Sequence, residues 1–328
     1  MRTRLTPPAL ALSLAVAACG SGEAQGEPEA GSAPAAAPSA PVENVVRTAD
    51  PAVRGYADSE FPRVQELAPG VYSYEQLATF GADRVTTVTF FVVTTEGVLV
   101  ADGQGSAAET QRLIAAIAEI SDQPIRTVVV GSDHPDHTGG NSAFPSGTMF
   151  LAHPFSVDRL RARGEVPATL EAVDDERTIT MGGRQIRVMH LGRAHTGGDL
   201  VVYLPQERIM FLGELFMNHM FPSMSESYPS EWLEAIERAQ AMDVAVFVPG
   251  HGFVDMPPVL AEELETFQGA IRTVIDAVEG VHDEGAAVEE AIARANFGDA
   301  ATWSRAESLR EPAIRRVYAD LNGELRAP

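Results

Sequence analysis

Cysteine is almost absent from this sequence: among 328 residues only Cys19 carries a thiol. One cysteine forms no intramolecular disulfide. Any metal site in the body of the chain must then rely on His, Asp or Glu rather than thiolate. Basic charge is also scarce, with 24 Lys and Arg against 46 Asp and Glu and a formal net charge of −22. A nucleic-acid footprint is basic, so no DNA or RNA partner is expected. Acidity on this scale serves mainly solubility. Long apolar runs are missing too. The run from Ala9 to Ala18, interrupted by Ser13, falls short of the ~20 residues a membrane-spanning helix needs.

That run has a different reading. With Arg2 and Arg4 ahead of it, residues 1–18 have the basic and apolar regions of a secretory signal peptide. Val16-Ala17-Ala18-Cys19 resembles the lipobox of bacterial lipoproteins, which implies cleavage before a lipidated Cys19. The expectation is a protein exported across the inner membrane and held in the periplasm by lipid, on the outer membrane. Membrane contact would run through that anchor alone. Residues 19–50 are expected to form a disordered tether, since Gly20 to about Pro41 is rich in Ala, Pro, Gly, Ser and Glu and lacks aromatics and periodicity.

Periodic segments begin near Val64. Val71 to Tyr74 is short and β-prone, and Val85 to Thr94 with Val98 to Ala101 reads as a hairpin turning at Glu96-Gly97. Leu113, Ile114, Ile117 and Ile120 give Ala107 to Ile120 a helical stripe. Ile125 to Val130, Met149 to Leu151, Ile186 to Met189, Leu200 to Leu204, Arg208 to Leu212 and Val244 to Val248 read as strands. A polar helix follows Pro154, and another spans Glu231 to Ala241. After Pro258 the pattern turns helical, with Leu260, Leu264, Phe267, Ile271, Val274 and Val278 on one face. Helices are also expected over Ala286 to Ala295 and Arg305 to Asn322. Strands interleaved with helices predict an α/β (α+β) fold.

The chemistry lies at strand ends. His134, Asp136 and His137 crowd into four residues after Ile125 to Val130. His195, Glu214 and His251 are each expected after a separate strand. Any one of these alone would be an ordinary core, surface or capping residue. Convergence of several on one sheet edge is what points to a metal. Gly139-Gly140 permits tight backbone and lets a helix begin beside the site. His153, His190, His219 and His282 are expected in structural or surface roles, although His219 and Asn218, just past Glu214, are candidates to line the pocket. The chain also offers Met217, Met220, Phe221 and Met224 as a soft apolar loop.

Ser132-Asp133-His134-Pro135-Asp136-His137-Thr138-Gly139-Gly140-Asn141 resembles the His-x-His-x-Asp-His signature of the metallo-β-lactamase superfamily. Ala194-His195-Thr196, Phe211-Leu212-Gly213-Glu214 and Val248-Pro249-Gly250-His251-Gly252 resemble the later motifs, in order. Val98 to Gly103 is similar to the strand that delivers a supporting aspartate, here Asp102. The resemblance implies a sandwich of two mixed sheets face to face with helices outside, over residues 60–256, and a C-terminal helical extension over 257–328. It implies one or two zinc ions, with His134 and His195 at one and Asp136, His137 and His251 at the other. Glu214 would bridge them. Two departures stand out: Ser132 replaces the signature's first histidine, and Glu214 replaces its bridging aspartate.

The implied activity is hydrolysis of a small molecule, with Asp136 as catalytic residue and a β-lactam or lactone as the favoured substrate class. Hydrolytic dehalogenation, thioester hydrolysis and a non-catalytic metal-binding lipoprotein are the competing readings. The C-terminal helices either cover the pocket or form a homodimer face.

Overall fold

The computed structural model describes residues 45–325. The signal peptide, Cys19 and nearly all of the expected tether lie outside the described residues. Twelve strands and seven α-helices are present among those described. The N-terminal half contains β1 (Arg63–Ala68), β2 (Val71–Phe80), β3 (Asp83–Thr94), β4 (Gly97–Ala101) and α1 (Ala107–Ile120). β5 (Ile125–Val129), α2 (Pro135–Thr138), β6 (Met149–Ala152), α3 (Pro154–Arg163) and β7 (Leu170–Ala172) complete it. β8 (Glu176–Met181), β9 (Arg184–His190), β10 (Leu200–Leu204), β11 (Ile209–Met217), α4 (Pro229–Gln240) and β12 (Val246–His251) follow. The chain closes with α5 (Pro257–His282), α6 (Val288–Arg294) and α7 (Ala306–Leu321).

The strands hydrogen-bond in the order β7-β6-β5-β4-β3-β12-β11-β10-β9-β8, with β2 and then β1 attached through β3. The expectation of two sheets needs refinement. Its halves are joined into one curled sheet where β3 meets β12, with His251 opposite Thr87. The halves still face each other across a shared core, and the period-2 alternation of strand side chains shows how. Val88, Phe90 and Val92 of β3, with Leu99 and Ala101 of β4, point into the core shared with β9 to β12. Phe91, Val98 and Val100 point the other way, onto Leu113 and Ile117 of α1. Phe90 and Phe211 stack across the interior with ring centroids 5.7 Å apart and planes 7° apart.

The middle of the second half is buried on both faces. Every residue of β10 and β11 is buried, and Trp232 of α4 and Phe267 of α5 cover its outer side. The stripe Leu260, Leu264, Phe267, Ile271, Val274 and Val278 faces inward as its spacing predicts and joins the main core. No described helix is long and apolar enough to cross a membrane.

Ordered packing reaches further toward the N-terminus than the expected tether allows. Ala49 is buried, Arg47 pairs with Glu262 and Glu263 of α5, and Arg54 grips Asp255. These ion pairs tie residues 47–54 to the segment around α5, so the tether ends short of residue 50. β1, β7 and β8 were absent from the sequence reading. Their residues are mostly exposed or half-buried, so they carry little of the apolar patterning that marks a strand.

Because Phe90 and Phe211 hold the two halves together, Phe90→Ala should destabilise the fold by about 3–5 kcal/mol. Denaturant unfolding monitored by circular dichroism would measure it. A loss below about 1 kcal/mol would show that the stack is not central to the core.

Candidate metal centre

The expected ligands converge where the two halves of the sheet meet. After β5 the chain passes Gly131 and Ser132, and His134 caps α2, with Pro135 at its first position. One turn of helix presents both Asp136 and His137. Gly140 is held against the start of α1; a Cβ there would overlap the Thr110 hydroxyl and the Ser106 carbonyl. His195 enters from the loop between β9 and β10. Asp199 shapes that loop, accepting hydrogen bonds from the Thr196 amide at 2.6 Å and hydroxyl at 2.8 Å. His251 is the last residue of β12.

Glu214 does not follow its strand, as expected, but lies inside β11. The pairing of β11 with β12 slips on either side of Gly213, whose φ is +54°. Such a bulge re-aims the next side chain, and glycine tolerates the left-handed backbone. Gly250 is required opposite: a Cβ there would sit 2.5 Å from the Gly213 carbonyl carbon.

The six side chains form two donor groups that share Glu214. In the first, His134 Nδ1 and His195 Nε2 are 2.9 Å apart and lie 3.0 and 3.1 Å from Glu214 Oε2. In the second, His137 Nε2 and His251 Nε2 are 3.1 Å apart. Glu214 Oε1 lies 3.3 Å from His251 and 3.6 Å from His137, and Asp136 Oδ2 lies at the same two distances. Zinc ligands at about 2.0–2.1 Å in tetrahedral geometry stand about 3.3 Å from one another, so both groups have the dimensions of a metal cage.

The chemistry of the donors agrees. His251 Nδ1 donates to the Thr86 carbonyl at 3.1 Å, and His137 Nδ1 lies 3.2 Å from Asp102 Oδ2. Carbonyl and carboxylate oxygens accept, so each Nδ1 carries the proton and each neutral imidazole turns a bare Nε2 lone pair inward. Two lone pairs facing at 3.1 Å beside two carboxylates call for a cation. In the metal-free protein protons fill that role. Burial opposes charge on His134, but the Glu214 carboxylate overrides it and pushes the imidazole up to about 11. His137 is likewise raised, against its burial, by Asp136 and Glu214. Asp136 is held at about 2 despite its burial, chiefly by the charge on His137. Glu214 is held low by His195, His134 and His137, although burial alone would raise it.

The remaining candidates divide. Asp102 is wholly buried, accepts from the Gly131 amide and supports His137, as expected. Ser132 is buried, and its hydroxyl accepts from the His134 amide at 3.3 Å. Asp133 is turned outward toward Arg163, at 3.2 Å. Asn218 and His219, expected beside the pocket, are engaged elsewhere. Asn218 donates to the Phe253 carbonyl at 2.7 Å, and His219 reaches Glu263 of α5 at 3.0 Å while stacking on Trp303. Trp232 is core, packed edge-on to His195. Glu226 was missed. It lies 3.3 Å from His134 Nε2, on the side away from the cage, and pairs with Arg159. It stands in no motif, and only the fold brings it to His134.

The sequence matches the metallo-beta-lactamase superfamily over residues 82–251, which takes in every one of these ligands. The chain belongs to that superfamily. Among similar proteins of the superfamily's kind, it is 24% identical over 196 residues to metallo-beta-lactamase type 2 of Bacteroides fragilis, covering 58% of this chain and 78% of that one. It is 26% identical over 182 residues to the 2,4-dinitroanisole O-demethylase subunit alpha of a Nocardioides strain, covering 51% and 55%. The chain thus spans about half the length of that subunit. A solved metallo-beta-lactamase from Pontibacter korlensis superposes with a TM-score of 0.58 at 24% identity, covering 63% of this chain and 98% of that one. The superfamily's mixed α/β architecture is therefore the fold of this chain, and that fold gathers its His, Asp and Glu residues into a candidate metal site.

The raised imidazoles predict a pH signature. A group raised from 6.5 to about 11 on folding stabilises the fold fully below pH 6.5 and loses that contribution as pH climbs toward 11. Chelator-treated protein should therefore lose thermal stability progressively above pH 6.5, and His134→Gln should flatten that decline. Equal slopes in thermal melts of the two proteins would contradict the charge assignment.

Proposed function

We propose that this protein is a zinc-dependent hydrolase that opens a cyclic amide or ester of the β-lactam or lactone type. The observation that carries the reading is the placement of Glu214, whose two carboxylate oxygens serve two separate groups of imidazoles. Bound zinc supplies Lewis acidity and makes water acidic enough to ionise near neutral pH. His134, His195 and Glu214 would hold one ion, and Asp136, His137, His251 and Glu214 the other.

The chain's own residues suit the rest of the reaction. Asp136 is the more exposed of the two carboxylates in the cage, with a quarter of its side chain open against 4% for Glu214. It is placed to orient an attacking water and take its proton. Behind it His137, His195 and His251 are all buried. The 2,4-dinitroanisole O-demethylase relative supports a second substrate class, activated aryl ethers.

The test is a panel of chromogenic β-lactam, lactone, thioester and phosphodiester substrates together with 2,4-dinitroanisole and an aryl chloride. At least one should be turned over, lose turnover to a chelator and regain it with zinc. Asp136→Ala should abolish that turnover and lower the zinc content. Full activity in the variant would remove Asp136 from the reaction. Failure across the whole panel, with zinc bound, would favour a non-catalytic metal-binding role.

We further propose that Cys19 carries lipid and anchors the protein in the periplasm. Labelling of expressing cells with radioactive palmitate should mark the wild-type chain and leave Cys19→Ser unlabelled. Equal label in both would refute the anchor.

A further inference from the structure

Three features meet at Arg305, and none of them stabilises the fold. Its backbone sits at φ +68°, a conformation L-residues avoid. Its Nε is buried with no hydrogen-bond partner. Its guanidinium makes no ion pair among the described residues, in a chain where acids outnumber bases almost two to one. A half-buried guanidinium with no carboxylate in direct contact is costly to keep, and such costs gather at functional sites.

The position is also firmly set. Ser304 bridges to Met220 and accepts a hydrogen bond from the Phe221 amide at 3.1 Å, while Trp303 stacks on His219. These contacts fasten the start of α7 to the loop that follows β11. From there the guanidinium lies over the ring of Phe80, 4.2 Å from its centre. Phe80 closes β2 at the hairpin tip, and its ring meets His251 of the metal cage edge-on at 6.1 Å. Arg305 is thus one aromatic ring away from the cage.

The charges facing Arg305 are Asp136, Asp83 and Glu214. Two of these are cage carboxylates. Once metal cations neutralise Asp136 and Glu214, Asp83 is the one of these three carboxylates left to balance Arg305. An anion arriving with the substrate beside Phe80 would then meet a guanidinium that makes no ion pair among the described residues. A guanidinium is suited to that task, because its planar fork of donors matches an oxyanion.

We propose that Arg305 is a specificity-determining residue that binds an oxyanion, a carboxylate or sulfonate, carried by the substrate near its scissile bond. This rests on the hydrolase reading above, and it assigns the C-terminal helical extension a direct part in substrate choice.

The test uses zinc-loaded full-length protein and two 4-nitrophenyl esters of matched four-carbon acyl length, the neutral butyrate and the anionic hemisuccinate. Wild type should prefer the hemisuccinate in kcat/KM, mostly through KM. Arg305→Met, which keeps an apolar stem over Phe80, should reduce that preference roughly tenfold. Arg305→Lys should retain most of it. Arg294→Ala, a control that removes an exposed arginine paired with Glu284, should leave the preference intact. No preference in wild type, an unchanged preference in Arg305→Met, or equal loss in the control would overturn the proposal.

A binding experiment separates the two readings. Calorimetric titration should show glutarate binding wild type more tightly than butyrate, and that difference should vanish in Arg305→Met with zinc content unchanged. If neither ester is hydrolysed but the glutarate preference follows Arg305, the reaction assignment fails while the anion site stands. If glutarate shows no such preference, the anion site fails whatever the esters do.

Discussion

A buried carboxylate surrounded by imidazoles is the constraint on which the rest of this structure depends. Glu214 is almost wholly buried and carries its charge there only because cations surround it. Protonated histidines can play that part, and a metal can play it better. Leaving either cage oxygen without a positive neighbour would impose the full desolvation penalty of an ion. The pocket is therefore a cation receptor by electrostatic necessity, whichever cation fills it.

Holding Glu214 there determines much of the surrounding backbone. It projects from the middle of a strand buried on both faces, so an ordinary strand residue at that point would face core. The slip in pairing around Gly213 aims it at the site, and Gly250 makes room for the displaced backbone. β12 then carries His251 to the strand pairing that joins the two halves of the sheet, opposite Thr87. The Thr86 carbonyl beside it fixes the orientation of the His251 ring. The seam of the fold and the metal cage are the same place. The Phe90–Phe211 stack, which holds the halves face to face, also holds the cage closed.

Much of this was legible in sequence because it is local. His134, Asp136 and His137 lie within one short turn, and the helices α1, α4 and α5 announce themselves by spacing. Asp102, His195 and His251 were legible through motif resemblance. What escaped depends on distance along the chain or on weak patterning. Glu226 reaches His134 across 92 residues with no motif to mark it. The edge strands β1, β7 and β8 bury too little to show alternation. Asn218 and His219 follow Glu214 closely in sequence, yet their side chains turn to the Phe253 carbonyl and to Glu263. The left-handed turn at His219, φ +57°, directs it to α5 instead.

The loss of histidine at position 132 has a consequence beyond ligand count. A metal site depends on the groups that hold its ligands as well as on the ligands themselves. In the second group each imidazole has an oxygen facing its Nδ1, Asp102 Oδ2 at 3.2 Å for His137 and the Thr86 carbonyl at 3.1 Å for His251. In the first group the bracing is weaker. His195 Nδ1 is buried with no partner among the described residues, and His134 is steadied by Glu226, whose side chain is 44% exposed. Asp133, the nearest acid that could stand in for the missing imidazole, is pulled outward by Arg163 and Arg159. With three ligands against four and looser support, the first group should hold a metal ion less tightly than the second. Shared Glu214 still couples them: an ion in the second group fixes the carboxylate that the first group needs. Occupation should then proceed in order, the braced site first and the sparse one on the frame that it completes.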